Sequence, residues 1–181
     1  WQQGSSAYLE DQYRQARAAL WLQLSSVWGL RVDTEAVERY RVQVTAKRDT
    51  VGTALQNRGL LRKDFSRDTK KAKEALVAAY ATLGKAHPTT EKGETSLTRE
   101  SCENSGDTWL EQYAEFASLQ HELSTSIPAL EKTNPIHPWY DTILENGRTA
   151  TREPNVQNLP TEPGVRECLI PRPGRVFVAI D

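Results

Sequence analysis

The sequence predicts an α+β fold in which about 130 residues of helix precede the first strands of a sheet. Apolar residues recur at helical spacing up to Pro128. After Pro128 the chain holds most of its prolines, short apolar runs and an Asn-Gly turn signal. The length of 181 residues and the hydrophobic content of 38% suit one large globular domain or two small ones.

Four helices are predicted before Pro128, each with a polar residue that caps its start and a glycine or proline that ends it. Their predicted bounds are Ser5 or Ser6 to Trp28, Asp33 to Gly59, Ser66 to Gly84, and Asp107 to just before Pro128. The segment 86–107 shows no lasting periodicity. It is long for a plain connection, so we expect it to be functional or mobile.

Three strands are predicted after Pro128. They are PWYDTIL (138–144), VRECLI (165–170) and RVFVAI (175–180), with an Asn146-Gly147 turn after the first. A Pro-Arg-Pro-Gly turn joins the other two. The sequence therefore divides into a helical part, 1–130, and the beginning of a sheet, 131–181.

The composition excludes several classes of protein. No apolar run is long enough for a membrane span, and no signal-peptide pattern is present. Cys102 and Cys168 lack metal-ligand spacing, which favours a reducing, cytoplasmic setting. The net charge of -1 gives no overall electrostatic signal for nucleic acid, although a local basic patch is compatible with it.

The chain begins with Trp1 and contains no methionine. We therefore expect it to be a piece of a larger protein, either excised or one half of a split protein.

The stretch GRTATREPNVQNLP (147–160) is a loop bounded by prolines and rich in Arg, Asn and Gln. These side chains reach phosphates, sugars and base edges in nucleic-acid complexes. A solvated polar loop is the alternative, and composition alone favours it.

The pattern GRxxxxxPNxQNxP, followed by GVRECLIPRPGRVFVAID, resembles the family A DNA polymerases of the DNA polymerase I type, and phage-like members most of all. The resemblance is closest from Gly147 to Asp181 and looser over the preceding helices. It implies that residues 1–130 form the helical thumb and its base. Residues 131–181 would then be the N-terminal part of the antiparallel palm sheet, up to the first catalytic aspartate.

The resemblance also implies roles for individual residues. HPTTEKGETSLTRE resembles the tip loop of the thumb, which would place Lys92, Thr95 and Ser96 near backbone phosphates. An exposed loop lysine is the alternative for Lys92. Arg152 matches nothing in the family pattern and is expected to be a solvated charge.

Further DNA contacts are implied in the palm part. Arg148 would reach the minor groove near the primer terminus, and Arg166 would bind a backbone phosphate. Asn155, Gln157 and Asn158 would contact sugars and minor-groove acceptors, which occur in every base pair.

Asp181 would be a catalytic ligand of two Mg²⁺ ions, held by the buried strand VFVAI and completed by residues outside this chain. The alternative is an aspartate that merely caps a turn. The implied partners are primer–template DNA, dNTP, and a second polypeptide or the continuation of the chain, carrying the fingers and the rest of the palm. The setting would be the cytoplasm, that of the host if the protein is phage-encoded.

One carboxylate does not hold a metal pair, so we expect this chain alone to be inactive in DNA synthesis. Two other functions stay open. One is a non-catalytic module that grips duplex DNA through Arg148, Asn155, Gln157 and Lys92. The other is a purely structural helical domain whose C-terminal match arises by chance. Salt dependence of DNA binding separates these two, because phosphate contacts weaken steeply with salt.

Overall fold

The computed structural model describes residues 6–142, 148–160 and 164–178. It divides into two compact units. Unit 1 combines Trp1–Tyr40 with Thr125–Asp181, and unit 2 is Arg41–Ser124. The predicted division at residue 130 assigns functional parts rather than compact units, and it stays a prediction.

The helices and strands follow one another with short connections. In chain order they are α1 (Ser6–Trp28), β1 (Arg31–Val32), α2 (Thr34–Arg58), α3 (Thr69–Thr82), α4 (Arg99–Glu103), α5 (Thr108–His121), a π-helical segment (Glu122–Ser126), α6 (Ile127–Glu131), β2 (Trp139–Asp141), β3 (Ala150–Arg152), a 3-10 turn (Arg166–Cys168) and β4 (Leu169–Ile170). The strands pair antiparallel, β1 with β4 and β2 with β3. The predicted α+β class is confirmed.

Unit 1 begins with α1, whose predicted end at Trp28 is confirmed. Gly29 then takes a φ of +69°, and its N–H donates to the Ser25 carbonyl over 2.9 Å. The Asp33 Oδ1 accepts from the Ala36 N–H over 3.0 Å, which confirms Asp33 as the cap of α2. These local signals lie within a few residues of the helix ends that they specify.

The strand β1 is held from two sides. It pairs with β4, which places Val32 opposite Leu169. The Asn134 side chain bonds both polar groups of the Val32 backbone: Oδ1 accepts from its N–H (3.0 Å) and Nδ2 donates to its carbonyl (2.8 Å). A side-chain amide thus takes the place of a further strand at this edge.

The strands after Pro128 are shorter than predicted. PWYDTIL forms a strand over Trp139–Asp141, paired with the unpredicted β3, while the Asn146-Gly147 turn lies outside the described residues. VRECLI is a strand only at Leu169–Ile170, because its first half forms the 3-10 turn. That turn buries Cys168 while β4 pairs with β1.

The prediction of a buried strand over RVFVAI is wrong for its described part, residues 175–178. These residues form no strand, and Val176, Phe177 and Val178 are 79%, 57% and 74% exposed. Backbone groups become a strand only when a neighbouring strand accepts and donates their hydrogen bonds. No described residue pairs with this stretch. Residues 179–181 lie outside the described part of the chain.

Unit 2 contains α3, whose start differs from the prediction. The Asp64 carboxylate accepts from both the N–H and the hydroxyl of Ser66, which ties these residues into a turn. The helix is capped instead by Asp68, whose Oδ1 accepts from the Lys71 N–H. The predicted stop at Gly84 is confirmed, with a φ of +64°.

The core of unit 2 consists of two adjoining apolar clusters. Phe116 and Leu55 are fully buried in the first, and Leu76 and Leu110 are fully buried in the second. Burial of such side chains contributes roughly 1.5–3 kcal/mol each relative to exposure. Helices α2, α3 and α5 therefore pack as one bundle within unit 2.

The helix α4 lies in the segment 86–107, for which no helix is predicted. Thr98 caps it, since its Oγ1 accepts from the Ser101 N–H over 3.2 Å. Five residues are too few to display a helical period. The cap and the burial of Ser101 and Cys102 fix this turn.

The predicted end of the fourth helix before Pro128 is wrong. Its start is confirmed, because the Asp107 Oδ1 accepts from the Trp109 N–H over 2.8 Å. The helix then continues as the π-helical segment and as α6, which contains Pro128 in its first turn. A proline is tolerated there because its missing N–H would have no helical partner.

Within the described ranges, no helix is long and apolar enough to cross a membrane.

Candidate nucleic-acid interface

The loop that follows β3 is organised by Thr151. Its side chain is 4% exposed, and its hydroxyl donates to Asn155 Oδ1 over 3.0 Å. The Thr151 hydroxyl oxygen also accepts from the Gln157 N–H over 3.1 Å. A single buried hydroxyl therefore ties β3 to Asn155 and Gln157 of the PNVQN turn.

Asn155 and Gln157 extend this network. The Asn155 Oδ1 also accepts from the Asn158 N–H over 3.2 Å, and Gln157 Nε2 donates to the Thr149 hydroxyl over 3.1 Å. The three predicted amide residues are exposed and are brought together within one turn. Asn158 enters the network only through its backbone, so its side-chain amide has no hydrogen-bond partner among the described residues.

Arg166 holds the C-terminal end of the loop that follows β3. Its guanidinium donates to the Leu159 carbonyl through Nε (3.3 Å) and Nη2 (2.9 Å). The Leu159 side chain is buried, which fixes the chain directly after the PNVQN turn. The predicted phosphate contact of Arg166 stays a prediction, since a guanidinium has further N–H groups to offer.

Arg148 and Arg152 are exposed but differ in their surroundings. Arg148 lies at the start of this described stretch. The side chain of Arg152 is 59% exposed, so its charge is solvated as predicted, and it also has surface partners: its Nη2 lies 3.3 Å from Asp141 Oδ1, and its guanidinium lies 5.8 Å from the Trp139 ring centre. The pairing of β2 with β3 places Arg152 opposite Trp139. Sequence spacing alone does not reveal a cross-strand pair.

In unit 2, the predicted tip loop forms a tight hairpin. Thr90 accepts from Gly93 and donates to Glu94 through backbone bonds of 2.8 and 2.7 Å, and Lys92 is exposed at the turn. Thr95 and Ser96 follow on the returning arm and are half-buried.

One ion pair fixes the side of this hairpin. Lys73 Nζ donates to Glu94 Oε2 over 2.7 Å, and this bond, with the charge of Lys73, lowers the pKa of Glu94. Glu94 is therefore neutralised by Lys73 rather than by Lys92.

The cysteines are unsuited to nucleophilic chemistry. Burial raises the pKa of the Cys102 thiol in unit 2, and burial also raises the pKa of the Cys168 thiol in unit 1. The thiolate is the reactive form, so both side chains serve packing at neutral pH.

The described residues do not fit a metal centre. They contain no group of three or more His, Cys, Asp or Glu side chains that could hold an ion. Asp181, the predicted ligand of two Mg²⁺ ions, lies outside the described residues. Its metal role therefore stays a prediction.

Replacement of Thr151 by valine is expected to destabilise the PNVQN turn. The variant keeps the shape of the side chain but leaves the Gln157 N–H without its partner, and Asn155 Oδ1 keeps only the Asn158 N–H. Loss of hydrogen bonds at a buried hydroxyl costs about 1–3 kcal/mol. Hydrogen exchange at the Gln157 backbone amide measures this, with Thr108→Val, at an exposed position outside the network, as the control. Unchanged protection of that amide would contradict the network.

Comparison with known proteins identifies the fold. No protein-family model and no curated protein matches the chain. Among solved structures, it is similar to the POL domain of Pol1 from M. smegmatis in complex with DNA primer-template and dNTP. The TM-score is 0.58 over 81% of this chain, with 18% sequence identity, and the match covers 27% of that protein. The predicted resemblance to a family A DNA polymerase is thus confirmed at the level of the fold.

Proposed function

We propose that this chain is the part of a phage-like family A DNA polymerase that grips primer–template duplex and carries the first metal-binding aspartate. One observation carries the proposal: a chain with a DNA polymerase fold presents three amide side chains in a turn organised by a buried hydroxyl. A preorganised turn loses little conformational freedom when it meets its ligand. Such a turn suits recognition better than a freely solvated loop does.

The amides would read the minor groove of the duplex. Purine N3 and pyrimidine O2 are acceptors that every base pair presents there, so amide donors bind them without regard to sequence. The side-chain amide of Asn158 has no hydrogen-bond partner among the described residues, whereas that of Gln157 donates to the Thr149 hydroxyl. A mispair displaces these acceptors, so the contact senses pairing geometry.

The arginines and the hairpin lysine would supply affinity. Arg148 precedes β3 and the amides follow it, and the charge of Arg148 suits the groove near the primer terminus. Arg166 braces Leu159 and keeps N–H groups for a phosphate. Lys92 at the hairpin tip, with Thr95 and Ser96, would contact the backbone as a compact charge with neighbouring hydroxyls.

The catalytic part of the proposal rests on Asp181 alone. Two Mg²⁺ ions would supply Lewis-acid stabilisation of the reacting phosphates, with Asp181 as one ligand. The other ligands, the dNTP contacts and the fingers would come from a second polypeptide or from further chain. We therefore expect the 181-residue chain to incorporate no nucleotide by itself.

A non-catalytic duplex-binding module is the second candidate. The observation that favours it is that the described residues bring three exposed amide side chains together in one turn organised by Thr151. Both candidates bind duplex, and only the first regains activity when the missing polymerase segments are supplied.

The test compares duplexes with a paired and a mispaired primer terminus. We expect the chain to bind the paired duplex several-fold more tightly, and Gln157→Ala to lose about tenfold in affinity together with that preference. Fluorescence anisotropy measures both dissociation constants. Exposed Gln43 on α2 provides the matched control, Gln43→Ala. Equal effects of the two substitutions would reject the assignment.

A further inference from the structure

Unit 2 contains a cavity that the proposed DNA contacts do not use. It encloses about 520 Å³, and we call it the α5 cavity. It is lined by two arginines, a histidine, other polar groups and two apolar side chains: Arg48, Arg67, Ala117, Gln120, His121, Leu123 and Ser124. No described carboxylate lines it, and because Asp49 pairs with Arg48, the positive charge of its wall comes mainly from Arg67.

Arg67 is the uncommitted cation of this cavity. Its guanidinium makes no hydrogen bond or ion pair with any described residue. The two acidic residues nearest in sequence are already engaged, since Asp64 accepts from Ser66 and Asp68 caps α3. Because Asp64 and Asp68 bond other groups, the exposed guanidinium of Arg67 is available to an external anion.

Arg48 is positioned differently. Its side chain is about one third exposed, and its Nε and Nη2 both donate to Asp49 Oδ1, over 2.9 and 2.6 Å. This fork orients the guanidinium, and Nη1 makes no bond to Asp49. The cavity thus combines one oriented and one uncommitted arginine, the arrangement that suits bidentate recognition of an anion.

The far wall of the cavity is formed by the end of α5 and the π-helical segment. Gln120 and His121 lie on α5, and Leu123 and Ser124 belong to the segment Glu122–Ser126. Single π turns are rare and occur frequently at functional sites, because their wider turn displaces side chains from the helical register. This distortion adjoins the cavity rather than the apolar clusters of unit 2.

We propose that the α5 cavity binds a phosphate group through Arg67 and Arg48, with polar support from Gln120 and His121. The group could come from the backbone of duplex DNA, which rests on the proposed function, or from a free polyphosphate, which does not. The planar guanidinium fork can donate to two oxygens of one phosphate, and Arg67 brings a charge that no described carboxylate pairs with.

The experiment has two arms, both with the 181-residue chain. The first measures binding of a labelled DNA duplex at increasing salt, and the second measures binding of inorganic tripolyphosphate by calorimetry. Arg67→Gln removes the charge while keeping a long polar side chain. Arg62→Gln is the control, because Arg62 is exposed in the same turn but does not line the cavity. Thermal unfolding checks that both variants fold.

We expect Arg67→Gln to weaken ligand binding about tenfold and Arg62→Gln to leave it within twofold. A loss in the DNA arm, with a salt slope reduced by about one, identifies the backbone as the source. A loss in the tripolyphosphate arm alone identifies a free polyphosphate. If neither arm distinguishes Arg67→Gln from Arg62→Gln, the proposal is overturned. The proposed DNA contact of the PNVQN turn in unit 1 is tested separately, by the comparison of paired and mispaired duplexes.

Discussion

Replacement of Gly29 by alanine is expected to destabilise unit 1 by about 2–5 kcal/mol. An added Cβ would lie 2.7 Å from the Ile136 carbonyl oxygen and 2.9 Å from the His137 ring. Neither neighbour yields easily, because Ile136 exchanges backbone hydrogen bonds with Leu30 and His137 Nδ1 bonds the Ser26 carbonyl. Overpacking of this kind costs about 1–3 kcal/mol, and a left-handed backbone adds about 1–2.

Gly84 provides a matched control for that result. Its φ of +64° is close to that of Gly29, but nothing lies within 4 Å of an added Cβ. Gly84→Ala should therefore cost only the backbone contribution, about 1–2 kcal/mol. Urea unfolding of both variants measures the difference. Equal losses would show that the crowding at Ile136 and His137 is unimportant.

Replacement of Phe116 by alanine is expected to cost unit 2 about 3–5 kcal/mol, the range for a fully buried phenylalanine. Phe116 is 0% exposed and packs with Phe65, with the ring centres 6.3 Å apart. Phe65 loses its partner ring, and the cavity that remains removes packing contacts from the surrounding side chains. The expected variant retains its helices but melts at a markedly lower temperature.

Leu83→Ala is the control for this substitution. Leu83 directly follows α3 and is 47% exposed, so its truncation should cost less than about 1 kcal/mol. Calorimetry of the two variants provides the measurement. A loss for Phe116→Ala no larger than that for Leu83→Ala would contradict the described core.

The helix ends could be predicted from the sequence because their causes are local. Asp33 and Asp107 each bond a backbone N–H two or three residues ahead. The glycines at 29 and 84 take the left-handed conformation that ends a helix. Asp68 was missed as a cap because Ser66, an equally good candidate by type, is bound by Asp64. The Ser66–Asp64 bond and the Asp68 cap together determine where α3 starts, and residue spacing does not show which of Ser66 and Asp68 will be the cap.

The strands could not be predicted to the same degree, because their partners lie far along the chain. β4 exists as a strand only through β1, and Arg152 meets Trp139 only through the β2–β3 register. The residue types single out the PNVQN turn as a candidate site, and its contact with DNA stays a prediction. The burial of Thr151, which organises the turn, could not be predicted, because a single threonine in a polar stretch of sequence is usually exposed.

The α5 cavity shows the same limit. Arg48, Arg67 and His121 belong to separate helices or connections, and only the packing of unit 2 places them around one space. The π-helical segment beside it has no recognised sequence signature in this stretch. Sites assembled from distant residues therefore need the structure, whereas sites within one turn can be read from the chain.

The most direct test of the account is the salt dependence of primer–template binding by the 181-residue chain. Phosphate contacts release condensed counterions, so the logarithm of the affinity should fall linearly with the logarithm of salt concentration. We expect a slope of at least about 2 in magnitude, and a reduction by about one for Arg148→Ala. Absence of duplex binding at low salt, or an affinity that does not change with salt, would contradict the claim that this chain grips DNA.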